Sequence, residues 1–471
     1  MSDTRQIPES FHTGQALLLA SVAALGGFLF GFDTAVVNGT VTAVREGFGL
    51  SAGLTGFVVS SALLGCVVGA FTAGRLADRI GRVRVMLIAA SLFLVSAVGC
   101  TFAVGAADLI VWRVIGGLGV GTASVIAPAY IAEISPAQIR GRLGSMQQLA
   151  IVTGIFVALL CNAWLAGLSG GAAEQLWFGL ETWRWMFFAE VVPALAYGAF
   201  ALMIPESPRF LVKKGSPAKA REVLSRVLET GIDQRIEEIR QSLGTEARTR
   251  LKHLRGPALG LLPIVWVGIL LSTFQQFVGI NVIFYYSSTL WQAVGFTEAD
   301  ALAQTVITGV TNIVVTIIAI ALVDKIGRRR LLMIGSTGMT LTLGLLAWIF
   351  ATAPVVEAAD GTLTPQLTDT GGVVALLAAN GFVVFFGMSW GPAVWVLLGE
   401  MFNNRIRATA LGIAAAAQWM ANFTISTTFP ALADMSLGVA YGFYTTCAAI
   451  SLFFVIRFVP ETKGKQLEDM E

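Results

Sequence analysis

Three carboxamides crowd one short stretch of this chain, Phe274-Gln275-Gln276-Phe277-Val278-Gly279-Ile280-Asn281. The stretch sits in an apolar run that opens near Leu261 and closes near Tyr286. A helix crosses a bilayer in roughly 20 residues, so the run can span. Counted from Leu261, Gln275 falls about 20 Å along a helix rising ~1.5 Å per residue, near the membrane middle. Amides at that depth are costly in lipid and must face protein or water. On a continuous helix the steps 275 to 276 and 276 to 281 turn about 100° and 500°, which keeps the three amides within about a third of the circumference. Each amide both donates and accepts hydrogen bonds. Such a face suits a neutral polyhydroxylated ligand; the alternative is that the amides only join helices. Gly279 allows a close approach of backbone or ligand.

A second chemistry comes from charge. Three ionisable side chains lie clearly within apolar runs: Asp33, Arg113 and Glu190. Counting depth puts all three at one level, toward the outer side. Alone, an Arg or Asp at a helix centre costs about 2.5–3.5 kcal/mol, and a shared cluster lowers that cost. With Arg113 alongside, Asp33 favours the carboxylate; with the guanidinium turned away, burial favours the protonated acid. A conformational change could therefore load and release one proton at Asp33. The alternative is a static ion pair that braces helices.

The elements that must position these groups follow from composition. The chain has 471 residues, 55% hydrophobic and 13% charged, with mean hydropathy +0.75. Soluble domains carry about 25% charged residues. Twelve runs of spanning length can be marked, at 14–38, 54–74, 85–105, 108–130, 143–166, 183–204, 261–286, 303–323, 331–352, 373–398, 409–430 and 437–458. Of 31 Lys and Arg, only Arg45 and Arg184 fall in or beside the loops of one side, whereas nearly all the rest share the other. By the positive-inside rule both termini are cytoplasmic. The expected fold class is an all-α polytopic membrane protein. Its expected parts are a cytoplasmic N-terminus (1–13), a six-helix bundle (14–204), a cytoplasmic helical linker (205–258), a second six-helix bundle (259–458) and a cytoplasmic tail (459–471). Within the linker, 216–229 and 232–243 have apolar residues at helical spacing and read as short amphipathic helices. Cys66, Cys100, Cys161 and Cys447 lie in spans without CxxC spacing and read as apolar packers. His12 and His253 lie outside the spans, so neither serves a metal or a proton relay within the membrane.

The chain repeats itself. Asp78-Arg79-Ile80-Gly81-Arg82 after the second run matches Asp324-Lys325-Ile326-Gly327-Arg328 after the eighth. Glu133 and Arg140, seven apart, match Glu400 and Arg407. Pro205-Glu206-Ser207-Pro208-Arg209 after the sixth matches Pro460-Glu461-Thr462 after the twelfth. Three signals recurring in one order mark a duplicated six-span unit, and parallel halves of this kind place a site at their interface near the midplane. The repeated charges form an expected cytoplasmic gate comprising Asp78, Arg79, Arg82, Glu133, Arg140, Glu206, Arg209, Asp324, Arg328, Glu400, Arg407 and Glu461. They pair across the halves when the inner side is shut, or else serve topology and lipid headgroups.

Jointly, Gly74–Arg82, Arg113-Val114-Ile115-Gly116-Gly117, Glu133–Gly141, Pro205–Arg209, Gln275–Asn281, Ser389-Trp390-Gly391-Pro392 and Pro460–Gly464 make the chain resemble the sugar porter branch of the major facilitator superfamily along nearly its whole length. That family includes bacterial D-xylose and glucose proton symporters and facilitative glucose transporters. The resemblance implies two six-helix bundles rocking about a central site. It implies sugar contacts at Phe30, Gln148, Gln275, Gln276, Asn281, Asn312, Gly391, Trp395, Gln418 and Trp419. Gly391 with Pro392 could instead be the hinge of a broken helix. Proton-coupled members resemble this chain at Asp33, Arg113 and Glu190. Ile155 and Phe284 resemble glucose-transporting members where the xylose carrier has Gln and Leu.

The expected function is proton-coupled symport of a monosaccharide, a hexose such as glucose or else xylose, by alternating access. A uniporter of the same fold and a non-transporting sugar sensor are the alternatives. A sensor needs a cytoplasmic signalling tail, and only about a dozen residues follow the last span. No nucleophile–base pair, metal cluster or nucleotide loop is legible, so the chain is not expected to be an enzyme or to need a cofactor. Expected partners are the sugar, the proton and the lipid of the inner (plasma) membrane. No nucleic acid is expected, and the monomer is expected to function.

Overall fold

The computed structural model describes residues 10–136, 138–245, 254–357, 363–402 and 406–461. The first half runs α1 (Thr13–Val36), a 3-10 turn (Val37–Gly39), α2 (Val41–Gly47), α3 (Ala52–Ile80), α4 (Arg82–Thr101), α5 (Ala106–Ile134), α6 (Arg140–Ser169), α7 (Thr182–Phe188) and α8 (Val191–Ala201). Three short linker helices follow: α9 (Pro208–Lys213), α10 (Pro217–Ser225) and α11 (Ile232–Thr245). The second half runs α12 (Pro263–Phe277), α13 (Ile280–Ala293), α14 (Glu298–Ile326), α15 (Arg328–Ala351), α16 (Asp369–Met388), α17 (Trp390–Met401), α18 (Arg407–Met435) and α19 (Leu437–Phe458). One small hairpin, β1 (Val355–Glu357) with β2 (Leu363–Pro365), departs from the all-helical expectation.

Among the described residues ten helical stretches are long and apolar enough to cross a membrane. The other two of the twelve runs are helical but atypical. The sixth breaks into α7 and α8 at Ala189-Glu190, and the eleventh, α18, carries Gln418, Asn422, Ser426 and Thr427. The seventh is split into α12 and α13, and the tenth into α16 and α17. One helix overruns its apolar run at the base-rich end: α3 continues to Ile80, six residues beyond the run, because Arg75, Leu76, Ala77 and Arg79 are good helix formers and Gly81 stops it. In the linker, α10 and α11 fall where the apolar spacing put them, and α9 is additional.

Helix ends differ by side. On the outer side, hydroxyl caps satisfy free N–H groups: Ser51 accepts from Leu54, Thr297 from Asp300, Thr368 from Gly371 and Ser436 from Val439. On the inner side carboxylates do this work. Glu206 accepts from the amides of Arg82 and Val83, and Glu461 from those of Arg328 and Arg329. The duplication is thus repeated atom for atom at the starts of α4 and α15. A carboxylate there also suits the positive end of the helix dipole.

Packing within the first half rests on small residues, as expected where lipid provides no hydrophobic drive between helices. A Cβ on Gly117 of α5 would stand 1.8 Å from the Ala62 carbonyl oxygen of α3, so only glycine permits this crossing. It sets the depth of α5 and hence of Arg113, one turn away.

Candidate functional site

The stretch bearing the amides is not a continuous helix. Gly279 adopts φ 84 between α12 and α13, and a Cβ there would stand 2.8 Å from the Tyr444 ring. The expectation that helical phase alone aligns Asn281 with Gln275 and Gln276 is therefore corrected. The left-handed turn brings them together instead. Asn281 Nδ2 donates to Gln276 Oε1 (2.5 Å), and Gln276 Nε2 donates to Gln275 Oε1 (3.5 Å). Gln275 Nε2 in turn donates to the carbonyl of Trp390 (2.8 Å). Trp390 opens α17 just after the second break, which lies at Ser389 (φ −128, ψ −80), so the hinge sits two residues before Gly391. One amide chain therefore ties the interrupted seventh span to the interrupted tenth. Breaks of this kind are tolerated in a membrane where they line protein or a cavity.

Aromatic contact also joins the halves. The rings of Phe30 (α1) and Trp419 (α18) lie with centroids 5.7 Å apart, tilted 46°. Trp395 on α17 is 43% exposed, although it lies well inside a span. Asn312 of α14 is buried, its Oδ1 3.8 Å from the Cβ position of Gly387 on α16. Gln148, Gln418 and Gly391 are half-buried, and Gln418 Oε1 has no hydrogen-bond partner within the protein. The described contacts link Gln275, Gln276 and Asn281 into one group and Phe30 with Trp419 into another. They do not link Gln148, Asn312, Trp395 or Gln418 to either.

The charged trio is sealed. Asp33, Arg113 and Glu190 are 1%, 3% and 1% exposed. Arg113 Nη1 donates to Asp33 Oδ1 (2.9 Å) and to the Asp33 carbonyl (3.2 Å), and its guanidinium lies 5.8 Å from the centre of the Phe187 ring. Glu190 stands at the α7–α8 break, near enough to interact electrostatically with both, but makes no direct bond to either. Asp33 Oδ2, Arg113 Nε and Glu190 Oε1 have no partner. Gly116 makes room for the pair: a Cβ there would stand 2.5 Å from Ser96 Oγ and 3.3 Å from Asp33 Oδ1. Outward of Arg113 a cavity of about 10 Å³, lined by Thr40, Thr55, Leu109 and Phe187 among valines, has room for a single water.

The polar contacts described between the halves all lie toward the side that carries Arg45. Asn38 Nδ2 donates to the Phe284 carbonyl (3.0 Å) and to Ser287 Oγ (2.9 Å), while Ser288 Oγ donates to the Asn38 carbonyl (2.5 Å). Ser60 and Thr427 share a hydroxyl hydrogen bond (2.6 Å). Arg45 grips Asp434 with two bonds (2.8 and 3.3 Å), and Glu298 accepts from the Ala172 amide (2.8 Å). This closure was missed in the sequence. Its one legible signal was the isolated Arg45 on a side almost without bases.

With fold and site described, the comparisons can be set against them. The model of the "Sugar (and other) transporter" family matches residues 19–471. The chain belongs to this family. It is 58% identical over 456 residues to the glucose transport protein of Synechocystis, covering 96% of each chain. It is 38% identical over 495 residues to the D-xylose-proton symporter of Escherichia coli, covering 98% of this chain and 96% of that one. Among solved structures it is similar to an inward-open conformation of the xylose transporter XylE from E. coli, with TM-score 0.80, 37% identity, and coverage of 96% and 98%. The fold is accordingly that of a twelve-helix major facilitator transporter.

In this sugar transporter family member the helix-end charges of the expected gate pair differently from expectation. Arg82 binds Glu133 (2.9 Å) and Asp78 (3.3 Å), Lys213 binds Asp78 (3.0 Å), and Ser207 Oγ donates to Glu133. Arg328 binds Glu400 (2.9 Å), repeating the Arg82–Glu133 pair. Arg209 donates to Ser242, joining α9 to α11, and Arg79 is exposed. These described pairs run within one half or its linker, not across the halves. The side chains of Arg140, Asp324 and Arg407 lie outside the described residues, as do residues 1–9, His253 and the tail 462–471.

Proposed function

We propose that the chain is a proton-coupled monosaccharide symporter working by alternating access, with glucose as the substrate to test first. The observation that carries this reading is the amide chain Asn281–Gln276–Gln275–Trp390. It puts donors and acceptors at the paired breaks of two spans, in the half of the protein opposite a sealed Asp33–Arg113 pair. Amides bond sugar hydroxyls in both senses, and Trp faces pack on the C–H side of a pyranose ring. Gln148, Asn312, Gly391, Trp395, Gln418, Trp419 and Phe30 complete the proposed pocket. Relatives named for glucose transport and for xylose–proton symport support both halves of the reading. The closed outer side and the locally paired inner charges support an inward-facing arrangement, with the cytoplasmic gate forming only when the inner side shuts. The protein is proposed to act as a monomer in the inner membrane, both termini inside, with segments 14–204 and 259–458 as the moving bodies.

The test is uptake of radiolabelled glucose and xylose by proteoliposomes, with and without a proton gradient. Accumulation only with the gradient, together with sugar-induced alkalinisation outside, is the expected result. Downhill flux without alkalinisation means a uniporter; binding without flux means a sensor.

A further inference from the structure

Four tryptophans among the described residues are largely exposed: Trp164, Trp177, Trp348 and Trp395. Trp395 belongs to the proposed pocket. The other three share the end of the molecule that carries Arg45. Trp164 lies near the end of α6, Trp348 near the end of α15, and Trp177 in the connection from α6 to α7. Tryptophan collects where the hydrocarbon of a bilayer meets its headgroups.

Trp177 belongs to a small hairpin. Its arms bridge at Gln175 and Glu181, and the Leu176 amide donates to the Leu180 carbonyl (2.9 Å). The Leu180 amide donates to the Trp177 carbonyl (3.1 Å), closing a four-residue turn. The two central residues of that turn, Phe178 and Gly179, have φ 56 and 73. A turn with both central φ positive favours Asn-Gly. A bulky aromatic in the left-handed region is an outlier, and outliers of this kind point to a use. Phe178 stands at the tip, 94% exposed. The hairpin rests on α7: the Trp177 and Phe178 rings lie 5.3 and 6.1 Å from that of Trp185, and Trp185 Nε1 donates to the Trp177 carbonyl (3.2 Å).

What lies beneath Trp185 identifies the neighbour. Trp185 meets Phe188 (5.4 Å between ring centres), and the same helical face continues through Val192, Leu195 and Leu202, all more than half exposed. Ala189 and Glu190 keep helical dihedrals, so the phase carries across the α7–α8 junction. In a membrane-spanning helix such a stripe faces lipid. From Trp185 to Leu202 it runs about 26 Å at ~1.5 Å per residue, most of a hydrocarbon core of ~30 Å. The hairpin therefore sits at the edge of that core.

We propose that the hairpin 174–182 is a lipid anchor. The Trp177 and Phe178 rings seat between headgroups and acyl chains and hold this end of the first bundle at a fixed depth. Lipid is the occupant, not a second copy of the chain, because the rings continue a lipid-facing stripe and share their end of the molecule with Trp164 and Trp348. The anchor also sits beside a contact between the halves, since Glu298 accepts from the Ala172 amide at its base.

The experiment uses the full chain in phosphatidylcholine vesicles, with a nitroxide on Trp177→Cys or on Phe178→Cys, each leaving the rest of the ring cluster in place. Cys66, Cys100 and Cys447 are buried and Cys161 is half-buried, and labelled wild type supplies the background. Relaxation by oxygen, which dissolves among acyl chains, is compared with relaxation by a water-soluble nickel chelate. Lys214→Cys, exposed in the linker, is the aqueous reference. Oxygen should dominate at 177 and 178, and nickel at 214. Adding Phe178→Asn to Trp177→Cys keeps a residue that suits the turn but removes the ring, and should shift the label at 177 toward nickel. Nickel dominance at both hairpin sites would overturn the anchor, placing the tip in water. Low access to both reagents would also overturn it, showing a protein cover. A label at 177 that ignores Phe178→Asn would do the same, leaving the ring no part in the seating.

Discussion

Replacing Asp33 by Asn is the sharpest test of coupling, because the structure isolates what changes. Asn keeps an oxygen where Arg113 Nη1 donates at 2.9 Å, and the second bond from Nη1, to the residue 33 carbonyl, is backbone and survives. What is lost is the charge. Moving one charge through 100 mV is worth about 2.3 kcal/mol, so a one-proton symporter should accumulate sugar about 50-fold across that potential. Asp33→Asn should reduce this ratio to one, with exchange of labelled glucose across the same vesicles retained. Because Arg113 then loses the one carboxylate it bonds directly, stability should drop by up to about 3–5 kcal/mol, the range for breaking a buried pair. A double variant, Asp33→Asn with Arg113→Met, should recover much of that stability, since replacing both partners of a buried pair with neutral groups is often neutral. Accumulation ratios and thermal unfolding in detergent read the two effects separately. An Asp33→Asn protein that still concentrates glucose well above one would show that the proton travels elsewhere.

Gln276→Ala and Trp395→Ala should each weaken glucose binding, measured by calorimetry, by about tenfold or more, because Gln276→Ala strands Asn281 and Gln275 with unmet bonds at about 1–3 kcal/mol each; normal binding in both would remove the proposed pocket. Arg45→Ala should shift the conformational balance only slightly, since exposed pairs are worth about 0.2–1 kcal/mol, whereas Asn38→Ala deletes buried bonds to Phe284 and Ser287 and should shift it more. Labelling of Ser60→Cys from outside reads this opening, and equal labelling in both backgrounds would contradict the ranking. Gly279→Ala should slow transport and lower stability, as φ 84 and the Tyr444 ring both oppose a Cβ; transport assays alongside thermal unfolding check it, and wild-type values in both would refute the strain.

Much of the fold was legible because lipid imposes a coarse rule: long apolar runs determine spans. The duplication was legible because charge motifs at helix ends have fixed spacing, and Glu206 with Glu461 and Arg82 with Arg328 turn out to make matching bonds. The break in the tenth span was legible as one reading of Gly391 with Pro392, two residues from Ser389; those in the sixth and seventh spans were not. Gly279 is one of many glycines in apolar runs, and only the Tyr444 ring, contributed from 165 residues later, reveals that this one turns the chain. Asn38 was invisible for a related reason. An amide at the end of an apolar run reads as a helix terminus, and its partners lie 246–250 residues away.

In the proposed reading, those long-range partners let a proton held in the first half and a sugar held mainly by the second act on each other. Within nine residues α1 and its 3-10 extension carry Phe30 against Trp419, Asp33 against Arg113, and Asn38 against α13. Helix α13 carries Asn281 in the amide chain at its start and Ser287 and Ser288 in the outer closure one to two turns later. Both stretches are compact, nine residues in α1 with its 3-10 extension and eight in α13, so a shift at one contact tends to move the others. In the proposed cycle, protonation of Asp33 releases Arg113 and frees α1, while sugar drawing on Asn281 loads α13. The two meet at Asn38, which bonds only when both helices are seated. Coupling then needs no long pathway: it needs one buried amide that reports the position of the proton's helix to the sugar's helix.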